Sequence, residues 1–535
     1  MLPIFGLAHG REGYACATLA SVSWDPELEE LQRRTELAAR MGGPDKVERQ
    51  HAAGRLTVRE RIDRLLDPGS FHEVGALTGR ATYEDGHMAD FRPANFVMGR
   101  GRIDGRTVVV GGDDFTVRGG AADASIFQKQ VYAERMANEL RLPIVRLVDG
   151  SGGGGSVKSL ETERRSFVPF NPGWEWVVDN LSTVPVVALC LGSVAGLGAA
   201  RVVTSHYAVM VRGTSQLFVA GPPVVARLGE DVEKEELGGS PIHTRNGVVD
   251  DEVETEDEAF GRARAFLSYL PASVDAVADR GPTDDDPGRR EEWLHEAIPK
   301  DARKVYKVRD IVDAVVDQGS FLELGRRFGG PAVTGLARLD GWPVAVLAGD
   351  PYHYGGGWTA DASQKVTRFV DLADTFHLPV VHFVDNPGFV IGTEAEKAAT
   401  IRHGARALAA IYQATVPWCS VILRKVYGVA GAAHQNASRF SYRFAWPSGD
   451  WGSLPLAGGI EAAYKAQLEL ADDPVALRAE IEARLEAARS PFRTAEAFMI
   501  EEIVDPRDTR RLLCEFAGLA APRRLPGPTE RGMRP

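Results

Sequence analysis

An α/β fold made of two copies of one strand-and-helix unit is what this sequence predicts. Three observations predict it: the chain repeats itself, buried-strand runs alternate with helix-period segments, and glycine turns follow strands at matching places. "GRIDGRTVVVGGD" (101–113) returns as "ARLDGWPVAVLAGD" (337–350), and "ELRLPIVRLVDGSG" (139–152) as "TFHLPVVHFVDNPG" (375–388). Pro143 and Pro379 are 236 residues apart, as are Asp149 and Asp385, and Gly152 and Gly388. "LLDPGSFHEVG" (65–75) answers "VVDQGSFLELG" (315–325) at a spacing of 250, so loop insertions distinguish the halves. "STVPVVALCLGSVAGLGA" (182–199) pairs with "ATVPWCSVILRKVYGVAGA" (414–432).

Each half reads as strand, helix, strand, glycine turn, helix, strand, glycine turn. In the first half Ile126, Ala133, Ala137 and Leu140 share one helical face. Its counterpart carries Val366, Phe369, Val370, Ala373 and Phe376 at offsets 0, 3, 4, 7 and 10. "PIVRLVD", "PVVALCL" and "VVHFVD" are apolar on both faces, as strands buried between crossover helices must be. Between the halves, residues 229–266 are heavily acidic and by charge alone read as a solvated helix and linker. "RGPTDDDPGRREE" (280–292) marks the domain boundary, and residues 473–498 read as a long amphipathic helix broken near Ser490–Pro491.

Bulk properties set the outer limits. A chain of 535 residues exceeds one hydrophobic core, so two or more domains are expected. Lys and Arg total 62 against 74 Asp and Glu, a net −12, which excludes a nucleic-acid surface spread over the protein. Cys16, Cys190, Cys419 and Cys514 contain no CxxC pair, which excludes a zinc ribbon and fits a reducing cytoplasm. The apolar stretch 184–200 is short of the ~20 residues a spanning helix needs, so no membrane anchor is expected. Residues 1–20 lack the basic start of a secretory signal, and 1–27 read as an N-terminal lead.

The run "VDGSGGGGSVKS" (148–159) raises a nucleotide loop only to exclude it. A P-loop needs lysine directly after its last glycine, and here Ser156 and Val157 separate Gly155 from Lys158. Each half instead has two glycine turns, at 149–155 and 196–198, and at 385–392 and 428–431. Such turns either let strands and helices pack closely or aim unpaired backbone N–H groups at one oxygen. No GxSxG elbow is present, and His206, His403 and His434 read as structural or surface residues. No histidine–carboxylate grouping has metal-ligand spacing, so no metal site is expected.

From about residue 28 to 520 the chain resembles the carboxyltransferase (β) subunits of biotin-dependent acyl-CoA carboxylases, such as propionyl-CoA and methylcrotonyl-CoA carboxylase. "DDFTVRGGA" (113–121), the glycine loop 149–155, "DVEKEELGGSPIHTRNGVVD" (231–250), "VDNPGFVIGTEAE" (384–396), "IRHGARAL" (401–408) and "DPRDTR" (505–510) carry the resemblance together. It implies two tandem crotonase-like domains, each a β-β-α superhelix: 28–285 on the acyl-CoA side and 293–520 on the biotin side, with a tail at 521–535. It also implies a homo-oligomer, usually a hexamer, whose sites join one subunit's N-terminal domain to a neighbour's C-terminal domain. The acidic "EELGG" is a family feature, so the resemblance removes that segment from mere solvated surface.

The implied reaction places negative charge on two oxygens, a thioester enolate and the biotin ureido group. By resemblance the amides near Gly196 and Leu197 hold the first, and those near Val429 and Ala430 hold the second. Gly119, Gly120, Gly152 and Gly153 would line the acyl-CoA pocket, and Gly388, Phe389, Gly428 and Gly431 the biotin side. The ureido anion itself takes the α-proton, so no side-chain base is needed. Leu197 stands where the family has a second glycine, Val429 precedes Ala430 where glycine is usual, and "GAAHQN" (431–436) offers no acidic residue for the acyl pocket. None of the eight methionines is followed by lysine, so the chain carries no biotin-attachment motif, and no ATP-grasp segment is visible. A biotin carboxylase and biotin carrier α subunit is therefore the expected partner, with biotin as cofactor on that partner and a coenzyme A thioester as substrate. A decarboxylase subunit running the same half-reaction in reverse, a one-domain hydratase or thioesterase, and a non-catalytic scaffold are the competing readings.

Overall fold

The protein, a computed structural model, is described over residues 23–121, 126–150, 161, 164–166, 168, 170–436 and 441–535. Its two halves each build one mixed sheet. The first runs His72–Glu73, Phe96–Ile103, Arg106–Asp113, Ile144–Val148, Val186–Cys190, Tyr207–Val211, Asp251–Val253 across its width. The second runs Leu322–Leu324, Ala332–Leu339, Trp342–Gly349, Val380–Asn386, Trp418–Tyr427, Ser441–Ala445, Glu502–Ile503. In both, the first two pairings are antiparallel and the rest parallel. The central parallel strands are buried along their whole length, because helices cover both faces.

The repeat survives at the level of single hydrogen bonds. The first hairpin turns at Asp104 and Gly105 (φ 49° and 79°), the second at Asp340 and Gly341 (φ 50° and 77°). Two positive φ values in a two-residue loop match the strands' right-handed twist, and Asp-Gly suits them. Asp67 accepts both turn N–H groups at 3.0 and 2.9 Å, and Asp317 does the same at 2.9 and 2.7 Å. The N–H of Asp114 donates to the Asn95 carbonyl at 2.9 Å, and that of Asp350 to the Pro331 carbonyl at 2.9 Å.

The expected helices form, with one correction. In Ala360–Thr375 the residues Val366, Phe369, Val370 and Ala373 are buried as the period requires, and Phe376 caps the end. In Phe127–Leu140, however, Ala133 and Ala137 are buried beside Lys129, Glu134 and Asn138, while Leu140 is exposed. Charge pairing overrides the apolar stripe there: Arg146, itself buried, binds Glu134 through two nitrogens at 2.8 and 2.9 Å. The C-terminal helix does break at Arg489–Ser490, into Pro474–Ala488 and Pro491–Glu496. It packs by one shallow face: among the described residues of Pro474–Ala488, Ile481 is buried and Leu477 and Leu485, one turn to either side, are half-buried.

One apolar core cluster includes residues of both halves, from Val97 and Phe260 to Trp358 and Phe376, and polar links reinforce the seam. Arg368 reaches Asp250 at 2.5 Å and the carbonyls of Ser205 and His206 at 3.0 and 3.1 Å. Arg262 holds Asp251 at 2.5 Å and crosses to the Glu323 carbonyl at 2.8 Å, and Arg327 pairs with Glu252. The segment 521–535 lies over this seam. Arg524 donates to the Ala278 carbonyl at 2.7 Å and stacks on Trp342, and Met533 is buried in the shared core.

Candidate active site

The first turn grows out of the strand Val186–Cys190. After Gly192 the chain forms a short strand, Ser193–Ala195, parallel to Gln216–Phe218. It then bends at Gly196, whose φ of 62° and ψ of −125° suit only glycine, and enters the helix Leu197–Val203. The N–H of Gly196 is already committed to the Phe218 carbonyl at 3.3 Å. The N–H groups of Leu197 and Gly198 find no acceptor among the described residues, as the opening of a helix dictates. Gly196 is exposed and Leu197 half-buried, so these donors face an accessible surface. The replacement of glycine by leucine leaves the amide in place, because the donor belongs to the backbone.

The second turn follows Trp418–Tyr427, a strand buried over nearly all its length. Gly428 has φ 61° and opens the helix Gly428–Ala432. Val429 is 56% exposed while Ala430 is buried, and no acceptor among the described residues takes either N–H. Gly431 is a packing glycine: a Cβ there would lie 2.9 Å from the Val426 carbonyl carbon and 3.2 Å from the Asn386 oxygen.

The supporting loops interlock backbone against backbone. Gly119 and Gly120 both have φ 64°, and a Cβ on Gly120 would sit 2.7 Å from the Asp149 carbonyl oxygen. Gly356, one repeat later, would meet the Asp385 oxygen at 2.3 Å. Gly388 (φ 117°) accepts the Trp358 N–H at 3.0 Å, and Phe389 packs on Gly404 and Trp358. Gly388, Gly428 and Gly431 therefore gather around the ends of Val380–Asn386 and Trp418–Tyr427. Gly152 and Gly153 lie outside the described residues.

Two buried carboxylates brace these loops, and sequence reasoning saw their spacing without their partners. Asp149 is fully buried and pairs with Arg61 at 2.8 Å, which also grips Glu256 at 2.7 Å. Asp385, equally buried, takes Arg424 at 2.9 Å, the Tyr306 hydroxyl at 2.9 Å and the Lys425 N–H at 3.0 Å. Buried charges need such partners. These groups are sealed from solvent, so they position the loops and touch no substrate.

His206 and His434 are structural. Burial pushes the His206 imidazole down to about 3, and it bridges the Val186 N–H and the Leu181 carbonyl at 2.9 and 3.0 Å. Burial also lowers His434, whose Nδ1 lies 2.9 Å from the Gly431 carbonyl. Among the described residues no three His, Cys, Asp or Glu side chains are grouped to hold a metal ion, and no helix is long and apolar enough to cross a membrane. Two cavities, of about 820 Å³ at the seam and about 750 Å³ beside Lys425, are lined by none of Gly196, Leu197, Val429 and Ala430. Gly196 and Val429 are exposed at the surface.

Residues 49–532 match the carboxyl transferase domain family. The chain belongs to that family. Among carboxyl transferase relatives, the carboxyltransferase subunit of propionyl-CoA carboxylase from Haloferax mediterranei is 34% identical over 94% of this chain and 98% of its own. The methylmalonyl-CoA decarboxylase subunit alpha of Veillonella parvula is 31% identical over 95% of this chain and 99% of its own. The structure of transcarboxylase 12S, a hexamer with methylmalonyl-coenzyme A and methylmalonic acid bound, superposes with a TM-score of 0.84 at 32% identity, covering 96% and 99% of the two chains. The two α/β units are thus crotonase-like, as the motifs implied.

Proposed function

We propose that this chain is the carboxyltransferase subunit of a biotin-dependent acyl-CoA carboxylase, working with a separate biotinylated α subunit. One observation carries the reading: each repeat ends a buried strand in a glycine turn whose next backbone N–H groups find no acceptor among the described residues. Carboxyl transfer to the α-carbon of a thioester develops charge on two oxygens, and two donor sites answer that need. The amides of Leu197 and Gly198 would hold the thioester oxygen as it becomes an enolate, each donor contributing about 3–4 kcal/mol at the transition state. Those of Val429 and Ala430 would hold the ureido oxygen. When docked, carboxybiotin would supply the carboxyl group as CO₂, and the ureido nitrogen left anionic by that release would be basic enough to take the α-proton. That accounts for a site built from backbone rather than from an acid–base side chain.

Gly119, Gly120, Gly152 and Gly153 would shape the acyl-CoA side, and Gly388, Phe389, Gly428 and Gly431 the biotin side. By likeness to the transcarboxylase 12S hexamer the chain would assemble as a hexamer in which a second copy completes the site, and cysteines without a CxxC pair suit the cytoplasm. The likeness to a methylmalonyl-CoA decarboxylase subunit supports a second reading, the same half-reaction run toward carboxybiotin. The test is carboxylation of propionyl-CoA by labelled bicarbonate and ATP, with and without a biotinylated α subunit. Activity only in its presence is expected. ATP turnover by the isolated chain overturns the reading, and so does a saturated complex that neither carboxylates acyl-CoA nor decarboxylates malonyl-type thioesters.

A further inference from the structure

The segment "EELGGSPIH" (235–243) is packed behind the first turn, and its polar groups form a chain leading to it. Ser193 and Gln216 are register partners on the two short parallel strands. The Ser193 hydroxyl donates to Gln216 Oε1 at 2.6 Å, and Gln216 Nε2 donates to Glu235 Oε2 at 3.0 Å. Gln216 is buried, and its backbone also forms an antiparallel bridge with Gly239. Close approach here is real: a Cβ on Gly238 would lie 2.2 Å from the Leu217 carbonyl oxygen. His243 Nε2 lies 2.8 Å from that same carbonyl.

At the other end of the same strand pair, the Gly196 N–H meets the Phe218 carbonyl. The register of Ser193–Ala195 on Gln216–Phe218 is therefore pinned at both ends, by backbone bonds from the Gly196 N–H to Phe218 and from the Gln216 N–H to the Gly192 carbonyl at 3.1 Å, the latter end reinforced by the side-chain chain at Ser193. A strand three residues long has little ladder of its own to hold it. Any sliding or fraying there moves the bend at Gly196 and the two free amides beyond it.

We propose that Glu235 is a positioning residue for the Gly196 turn, acting through Gln216 and Ser193. This rests on the reading of that turn as the thioester-oxygen site. Gln216 presents its oxygen to Ser193 while its amide nitrogen donates to Glu235 at 3.0 Å and, at a longer 3.5 Å, to the Gly213 carbonyl, so Glu235 is the nearer acceptor that holds the amide in this orientation. A displacement of ~1 Å in a donor pair can cost up to about 10²-fold in rate.

The experiment compares Glu235→Ala with Glu235→Gln and Ser193→Ala in the complete complex. Glu235→Ala should lower kcat about tenfold with KM for acyl-CoA changed less than twofold, as expected when only transition-state contacts are lost. Glu235→Gln keeps an acceptor oxygen and should restore most of kcat. Ser193→Ala, a small change at the other end, should reproduce the loss and carries the test if Glu235→Ala fails to fold. Wild-type kcat in folded Glu235→Ala or in Ser193→Ala overturns the proposal, as does a Glu235→Gln variant as impaired as Glu235→Ala. A Leu197→Pro variant run alongside separates the two failures: full activity there removes the turn from catalysis altogether, whatever Glu235 does.

Discussion

Arg368, on a helix of the second repeat, closes on Asp250 of the first at 2.5 Å, and both side chains are largely withdrawn from solvent. The guanidinium also serves the carbonyls of Ser205 and His206, so one side chain satisfies three acceptors across the seam. Its neighbours Asp251 and Glu252 are held by Arg262 and Arg327, which makes the acidic triplet 250–252 a latch rather than a solvated run.

Arg368→Ala should therefore destabilise the protein by roughly 3 kcal/mol, the low end for stranding a partly buried charge. Thermal melting checks this. An unchanged melting temperature would mean that the shared apolar core alone holds the halves together.

The two turns call for removal of a donor without removal of the helix. Leu197 occupies the first helical position, where proline is tolerated because its missing N–H has no intrahelical partner. Val429 is exposed, so a proline ring has room there. Leu197→Pro and Val429→Pro should each lower kcat by about 10²–10³ with acyl-CoA affinity little changed. Oligomeric mass and melting temperature must first match wild type. If turns serve packing only, folded variants will keep their kcat.

Gly120→Ala and Gly356→Ala should act on folding instead. Their φ values of 64° and 89° disfavour any side chain, and the new methyl would strike a carbonyl oxygen at 2.7 and 2.3 Å. Gly356→Ala, with the closer contact, should lose more soluble yield and melt lower than Gly120→Ala. Equal, wild-type behaviour of both would contradict the interlocked loops.

Stability should fall as the solution is acidified from pH 7. Burial lowers His206 and His382 to about 3, whereas an unfolded histidine titrates near ~6.5. The unfolded chain thus binds more protons between those values, and these groups contribute stability at neutral pH that is lost as pH drops through the window. Burial alone would raise Glu134, but Arg146 and Arg201 outweigh it and hold the carboxyl at about 2. A depressed carboxyl adds stability above ~4.3 that disappears toward pH 2. Burial raises Asp113 and Asp371 to about 6, so below that pH they favour the folded state and oppose the histidines. Melting temperature should decline between pH 7 and pH 6, and a flat profile there would contradict the buried neutral histidines.

The fold and the turns were legible because they are written in short-range pattern. Proline, aspartate and glycine recur 236 residues apart because each repeat needs the same strand entry, the same buried carboxylate and the same bend. The charge partners were not legible. Arg61 reaches Asp149 and Glu256, 88 and 195 residues away, and nothing in local composition marks which arginine meets which acid. The helix face of Phe127–Leu140 misled for the same reason, since Glu134 belongs inside only because Arg146 and Arg201 are there to meet it.

Periodicity and spacing, then, determined two α/β repeats and the glycine turns at 196–198, 385–392 and 428–431, because backbone geometry is a local property of residue type. Tertiary structure alone decided which amides are left unpaired, since the Gly196 N–H is spent on Phe218 while those of Leu197 and Gly198 are not. It also decided that an acidic segment backs the first turn and latches the seam. Hydrogen bonds and ion pairs form wherever the fold brings partners within about 3 Å, a closeness that chain separation does not encode.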